Sequence, residues 1–305
     1  MSERIAVIGL GLIGGSLARR LAGSHEVIGY DAAPATRDLA RAAGLTVRDQ
    51  LAEAVQDASV AFAAVPLPAL STVVCQALSA GAVVTDVGSV KSPLYVAVRA
   101  QGLGGRFVGG HPMAGTERSG FSASDPGLYD GAAWVLCLEP DTDLASWLRV
   151  ARTVTGIGAR VVPSTAADHD AAVARISHLP HLLAAALAAA AAEAGPLALT
   201  LAAGSFRDGT RVAATAPELP TSMCRANRLA VAAAAADTVR RLQVAQGDPG
   251  PLIFSGHHAR LAWENRHAVP ADVPIGDADA LLDLGRRGGW IERVGADTLS
   301  ALVPV

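Results

Sequence analysis

The sequence predicts an α/β protein in two parts: a parallel-sheet domain over residues 1–163 and an all-helical domain over residues 164–305. Three observations predict this. Short β-rich runs alternate with helical stretches through the first half, the pattern of successive βαβ units. A glycine loop, GLGLIGG, lies between the first run and the first helix. Beyond Pro163 the strand-like runs give way to long alanine- and leucine-rich segments. A chain of 305 residues also has room for two domains of about 100–200 residues each.

The expected strands are RIAVIGL (4–10), EVIGYD (26–31), SVAFAAV (59–65), AVVTDVG (82–88) and RFVGG (106–110), followed by WVLCL (134–138) and ARVVP (159–163). Each is rich in valine, isoleucine or phenylalanine, or bounded by glycine, proline or polar residues. After Pro163, STAADHDAAVARISHLPHLLAAALAAAAAEAG reads as one helix with a Ser/Thr/Asp start and a glycine stop. RANRLAVAAAAADTVRRLQVAQG reads as another. From roughly Pro270 the sequence is turn-rich and shows little pattern.

Half of the residues are hydrophobic (51%), so sizeable cores are expected. A net charge of −3 without polybasic tracts gives no reason to expect a nucleic-acid or membrane partner. The longest uncharged apolar run, Leu182 to Ala192, is shorter than the ~20 residues that span a bilayer. Cys75, Cys137 and Cys224 are scattered and in no ligand spacing, so they read as reduced core residues of a cytoplasmic protein, and no metal site is expected. Among 25 basic residues the sole lysine is Lys91, which reflects either codon bias or a position needing a compact point charge.

In the glycine loop, Gly9 suits the tight turn, Gly11 a close backbone approach to a pyrophosphate, and Gly14 close helix–strand packing. The loop backbone through Leu12 and Ile13 opens the helix, whose N-terminus favours an anion. Asp31 ends the second strand 20 residues after Gly11, where a carboxylate accepts from ribose hydroxyls and repels a 2′-phosphate. This is a Rossmann-type arrangement, with NAD preferred to NADP. Arg37 stands near enough to keep NADP open, and a glycine turn without a nucleotide is the plain alternative.

Ligands of such sheets sit beyond the carboxyl ends of the strands. Val65 and Pro66 are there, as are Ser89 and Lys91 of DVGSVK and His111 of GGHPMAGTE, where Gly109 and Gly110 leave the backbone approachable. In ISHLPHLL, His178 and His181 share a helix face, and Pro180 frees the carbonyl of Ile176. His181 reads equally as a packed or a functional ring. Arg207 and Arg211 of FRDGTRVA suit a dicarboxylate if they converge; otherwise they are a solvated pair held by Asp208.

Together GLGLIGGSLA, DVGSVK, GGHPMAGTE, HDAAVARISHLPH and FRDGTRVA, with Asn227 downstream, resemble the prephenate/arogenate dehydrogenase family in order and spacing. The resemblance implies a Rossmann domain, a helical domain that makes a homodimer, and NAD-dependent oxidative decarboxylation of a cyclohexadienol dicarboxylate in tyrosine biosynthesis. It implies that His111 deprotonates the ring hydroxyl and that Ser89 orients His111. It places His178, Arg211 and Arg207 on the substrate and Glu117 at the pocket entrance. The family's Asp-Pro-x-Met-Trp sequence is replaced here by APELP, with Ala216 and Pro220 at the Asp and Trp positions. No regulatory ACT domain is expected, and the stretch from Glu117 to Gly131 reads as a lid. Other readings are a relative acting on 4-amino-4-deoxyprephenate, a β-hydroxyacid dehydrogenase (which needs a lysine in the helical domain), and a non-catalytic NAD sensor.

Overall fold

The computed structural model describes residues 3–116 and 118–305. The chain forms two compact units, Met1–His169 with His267–Val305, and Asp170–Arg266.

The first unit contains two sheets. One holds β1 (Arg4–Ile8), β2 (Glu26–Tyr30), β3 (Thr46–Val47), β4 (Val60–Ala63), β5 (Val83–Asp86) and β6 (Phe107–Val108), in the order β3-β2-β1-β4-β5-β6. All its pairings are parallel. β4 and β5 are buried at every position. That is why VAFA and VVTD are unbroken rather than alternating: a parallel sheet is covered on both faces. The strand order reverses between β1 and β4, the switch point at which such sheets open a ligand crevice.

The second sheet holds β7 (Gly110–Pro112), β8 (Ala133–Cys137), β9 (Arg160–Ser164), β10 (Ala268–Pro274), β11 (Trp290–Val294) and β12 (Thr298–Pro304), ordered β10-β12-β11-β9-β8-β7. Only Gly109 separates β6 from β7, so the run that reads as one strand is shared between two sheets. β8 and β9 are parallel around the helix Leu144–Gly156, which Asp143 caps by accepting from the Ser146 amide at 2.8 Å.

The first compact unit runs six residues past the expected division at Pro163, and the expected all-helical remainder departs from the structure at its far end. The chain stays with the first unit to His169. Glu139 Oε1 accepts from the Ala166 amide at 2.5 Å and Thr165 Oγ1 from the Asp168 amide at 3.0 Å, fixing the next helix there. After Arg266 the chain returns to the first unit as β10, the helix Ala278–Arg286, β11 and β12. Leu281, Leu284, Ile291 and Leu299 are buried in the same core as Trp134 and Trp147. β10 carries Pro270 and Pro274, which a strand tolerates at a sheet edge.

The expected lid is also pinned over most of its length. Tyr129 donates to the Ile13 carbonyl at 2.5 Å, Arg19 to the Ser124 carbonyl at 2.7 Å, and the Asp125 amide to Ser16 Oγ at 2.8 Å. Phe121 and Tyr129 are buried in the core.

The second unit is helical. A continuous helical stretch, Ala166–Glu193, carries the chain into it and relaxes to π geometry over Ala174–His178, just before Pro180. A π-turn is one way a helix absorbs an amide lost at proline. By length and composition alone this is the one helix among the described residues that could cross a membrane. Ala174, Leu179, Val231 and Ala234 form a small core, while Leu183, Leu187, Leu229, Leu242 and Phe254 are exposed.

Candidate active site

The first unit contains a cavity of about 660 Å³ at the carboxyl ends of β1, β2 and β4. Gly9, Gly11, Leu12, Ile13, Asp31, Val65 and Pro66 all line it, as the sequence predicts. Gly9 has φ +90°, and a Cβ there would lie 2.3 Å from the Ala64 carbonyl oxygen. A Cβ on Gly14 would fall 1.8 Å from the Gly9 oxygen, so this glycine lets helix Leu12–Leu21 pack beneath the loop instead of facing the cavity. A Cβ on Gly11 would meet no heavy atom within 4 Å. The backbone at the helix N-terminus is therefore open to a ligand, as a pyrophosphate requires.

Asp31 is set rigidly, accepting from the Leu10 and Ala33 amides at 2.8 Å each. Arg37 is occupied elsewhere. Its Nη1 donates to the carbonyls of Asp31 (2.8 Å) and Ala32 (3.1 Å), and its Nε donates to Asp49 at 3.1 Å. Held this way it buttresses the end of β2, which favours a ribose hydroxyl over a 2′-phosphate beside Asp31.

Ser89 and His111 lie outside this cavity's lining, in the loop after β5 and on β7. His111 faces Val135 across the β7–β8 ladder and is half-buried. Its strand is anchored by a buried ion pair. Asp86 accepts from the Gly110 amide at 3.0 Å and the Gly88 amide at 2.8 Å, and it pairs with Lys91. Lys91 Nζ also donates to the Gly110 carbonyl at 2.7 Å. The side chains of Lys91 and Asp86 are 1% and 0% exposed. The sole lysine is thus a compact buried charge that clamps the residue before His111.

This clamp corrects the reading of the two glycines. A Cβ on Gly110 would lie 2.4 Å from the Asp86 oxygen, and one on Gly109 would lie 3.3 Å from Lys91 Cδ. They make room for the ion pair and the end of β5, and not for a ligand. The partner of the His111 ring is His169, whose Nε2 is 2.8 Å from His111 Nδ1. Sequence reasoning gave His169 no role, although it lies in HDAAVARISHLPH.

In the second unit, His178 is fully buried. Asn227 Nδ2 lies 3.2 Å from its Nδ1 and donates to the Asp170 carbonyl at 2.7 Å. His178 is therefore part of a buried polar joint between helices, through its Nδ1. The ring that faces a cavity is His181. It lines a mainly apolar space of about 330 Å³ with Val212, Thr215, Pro220, Thr221 and Arg225. Arg207 and Arg211 are exposed, at the helix Gly204–Thr210 and the turn that follows it, outside that lining. Glu117 lies outside the described residues.

Residues 14–163 match the family model described as the prephenate dehydrogenase nucleotide-binding domain, and residues 165–246 the prephenate dehydrogenase dimerization domain. The chain is 34% identical over 237 residues to the prephenate dehydrogenase of Lactococcus lactis, covering 74% of this chain but only 65% of that enzyme's length. Among solved structures, the Synechocystis arogenate dehydrogenase is similar at 33% identity and TM-score 0.73, over 86% of this chain and 97% of that one. The prephenate dehydrogenase of Aquifex aeolicus, solved with hydroxyphenyl propionate and NAD+, is similar at 26% identity and TM-score 0.77, over 87% and 98%.

Proposed function

The chain belongs to the prephenate dehydrogenase family, and from that premise we propose that it oxidatively decarboxylates prephenate or arogenate with NAD+ in tyrosine biosynthesis. The observation that carries this reading is His111. It is a half-buried imidazole on a strand end clamped from behind, in the same compact unit as the nucleotide cavity. The glycine loop would hold the pyrophosphate and Asp31 the adenine ribose. NAD+, when bound, supplies the hydride acceptor.

The residues of the chain manage the proton and the carboxylates. As hydride leaves C4 of the ring, His111 takes the C4 hydroxyl proton, which makes the developing carbonyl accessible without a free oxonium. This assistance is typically worth ~10²–10⁴-fold. The electron pair of the C1–carboxylate bond then enters the ring as carbon dioxide departs. The ring becomes aromatic and its oxygen recovers a proton, so His111 ends as it began. Ser89 supports His111 from the loop after β5. Arg211, with Arg207, holds substrate carboxylate. His181 replaces His178 as the substrate-facing ring of the helical unit, because it is the one that lines a cavity.

The exposed leucines of the second unit, and its match to a dimerization domain, support a homodimer through that unit. A cytoplasmic location fits the free cysteines. The test is absorbance at 340 nm with purified protein, NAD+ and, in parallel, prephenate, arogenate and 4-amino-4-deoxyprephenate. NADH with none of the three refutes the proposal, and NADH with the amino substrate alone moves the enzyme to that chemistry.

A further inference from the structure

The two histidine rings in the first unit meet in a restrictive way. His111 Nδ1 and His169 Nε2 are 2.8 Å apart, the ring centroids 5.1 Å apart and the planes 80° apart. One ring presents its edge to the other, the arrangement in which an N–H points at a lone pair. Both rings are held from outside the contact. His111 is fixed by the β7–β8 ladder and by the Lys91–Asp86 clamp on Gly110. His169 is 3% exposed, on a helical turn fixed by its own amide to the Thr165 carbonyl at 3.0 Å and by Glu139 at the Ala166 amide.

We infer that His169 is a positioning residue, which accepts a hydrogen bond from His111 Nδ1 and thereby holds His111 in the tautomer that can act as a base. This rests on reading His111 as the proton acceptor. Two neutral imidazoles in this contact share one proton along the nitrogen–nitrogen line. If that proton belongs to His169 Nε2, His111 accepts at Nδ1 and carries its own proton on Nε2, so it has no lone pair for a substrate. If it belongs to His111 Nδ1, Nε2 is the basic nitrogen and His169 carries its proton on Nδ1. Only the second arrangement performs the chemistry. When Nε2 takes up the hydroxyl proton, His111 becomes a cation whose Nδ1–H still points at His169. That bond strengthens because its donor is now charged, and no heavy atom has to move. A carboxylate usually fills this orienting role. A neutral imidazole fixes the tautomer equally well without placing an additional negative charge beside the base.

The test compares His169→Leu, which removes the acceptor, with His169→Gln, whose amide oxygen restores one. It also reads the ring nitrogens of ¹⁵N-histidine-labelled protein. His169→Leu is expected to lower kcat by about 10- to 100-fold with KM for NAD+ and substrate nearly unchanged, and His169→Gln to recover most of the rate. The nitrogen shifts of neutral wild-type His111 should show the proton on Nδ1, with a mixture of tautomers in His169→Leu. An unchanged kcat in His169→Leu, equal slowing in both variants, or a wild-type His111 protonated on Nε2 would each overturn the inference. If His169→Leu does not fold, the glutamine variant and the wild-type spectrum decide. If no substrate is oxidised by the wild type, the proposed activity fails while the spectrum still reports whether His169 sets the tautomer.

Discussion

Replacing Lys91 with Met tests the clamp behind His111. Methionine keeps most of the stem volume but leaves the Asp86 carboxylate buried without its cation, held by the Gly88 and Gly110 amides, and leaves the Gly110 carbonyl without the ammonium. Breaking a buried ion pair by removing one member costs about 3–5 kcal/mol. Roughly two hundred residues fold together in the first unit. At that size each kcal/mol lowers Tm by about 2–4 °C, so the variant should melt about 6–20 °C below wild type by calorimetry. Adding Asp86→Asn removes the stranded charge and should recover part of the loss. Lys91→Arg should also destabilise, because a larger planar head would have to enter a fully buried site whose lysine stem already packs against Gly109. A fall in Tm below about 2 °C for Lys91→Met, or a double variant no more stable than the single, would refute the reasoning.

His111→Asn should lower kcat by ~10²–10⁴ with modest change in KM, since the base acts in the transition state; steady-state kinetics with an unchanged kcat would remove His111 from its role. Arg211→Ala and His181→Ala should raise KM for the dicarboxylate and leave NAD+ affinity intact, as measured by fluorescence titration of the cofactor. Weakened NAD+ binding would show that these residues serve the other ligand. Asp143→Ala should cost about 1 kcal/mol through loss of a helix cap. Hydrogen bonds from Ser146 hold the Asp143 carboxyl below its usual value of 3.8. Its contribution is therefore present above that value and lost as pH falls through the lower folded one, so wild type and variant should converge in denaturant titrations at acid pH.

The parallel sheet was legible because its signal is local. Each of its main strands is a short apolar run next to a glycine, proline or polar break, and a βαβ chain places consecutive units side by side. The last 39 residues carried no such signal, although they form three strands and a helix. β10 is an exposed edge with two prolines, and β11 has a register shift between Ile291 and Arg293. Their few apolar positions mean little until Ile291 of β11 pairs with Val161 of β9, more than a hundred residues earlier in the chain, and brings Leu299 and Val303 of β12 into the same core. Gly285 shows the dependence: a Cβ there would lie 1.8 Å from the Pro163 oxygen, a requirement set entirely by a distant strand.

The same distinction separates the parts of the site. The nucleotide cradle is made within one loop and one strand end, so spacing alone exposed Gly9, Gly11 and Asp31. His111 is different, because its partner lies 58 residues away and only the crossing of β7 with the helix after β9 brings the rings together. His178 and His181 illustrate the opposite error. Three residues apart on one helical segment, they look interchangeable in sequence. Which ring meets Asn227 and which meets a cavity depends on the helix packed against them. A signal for His169 did exist, in a histidine at the start of a helix that follows directly on a strand, but nothing local says which strand end that turn will face. Burial inverts the meaning of the polar residues here. Lys91, Asp86, His178 and Asn227 are among the least exposed polar groups in the chain, and each acts by holding another group still. The groups that line the cavities are those the buried ones leave at their surface, and which groups those are depends on packing between segments far apart in sequence.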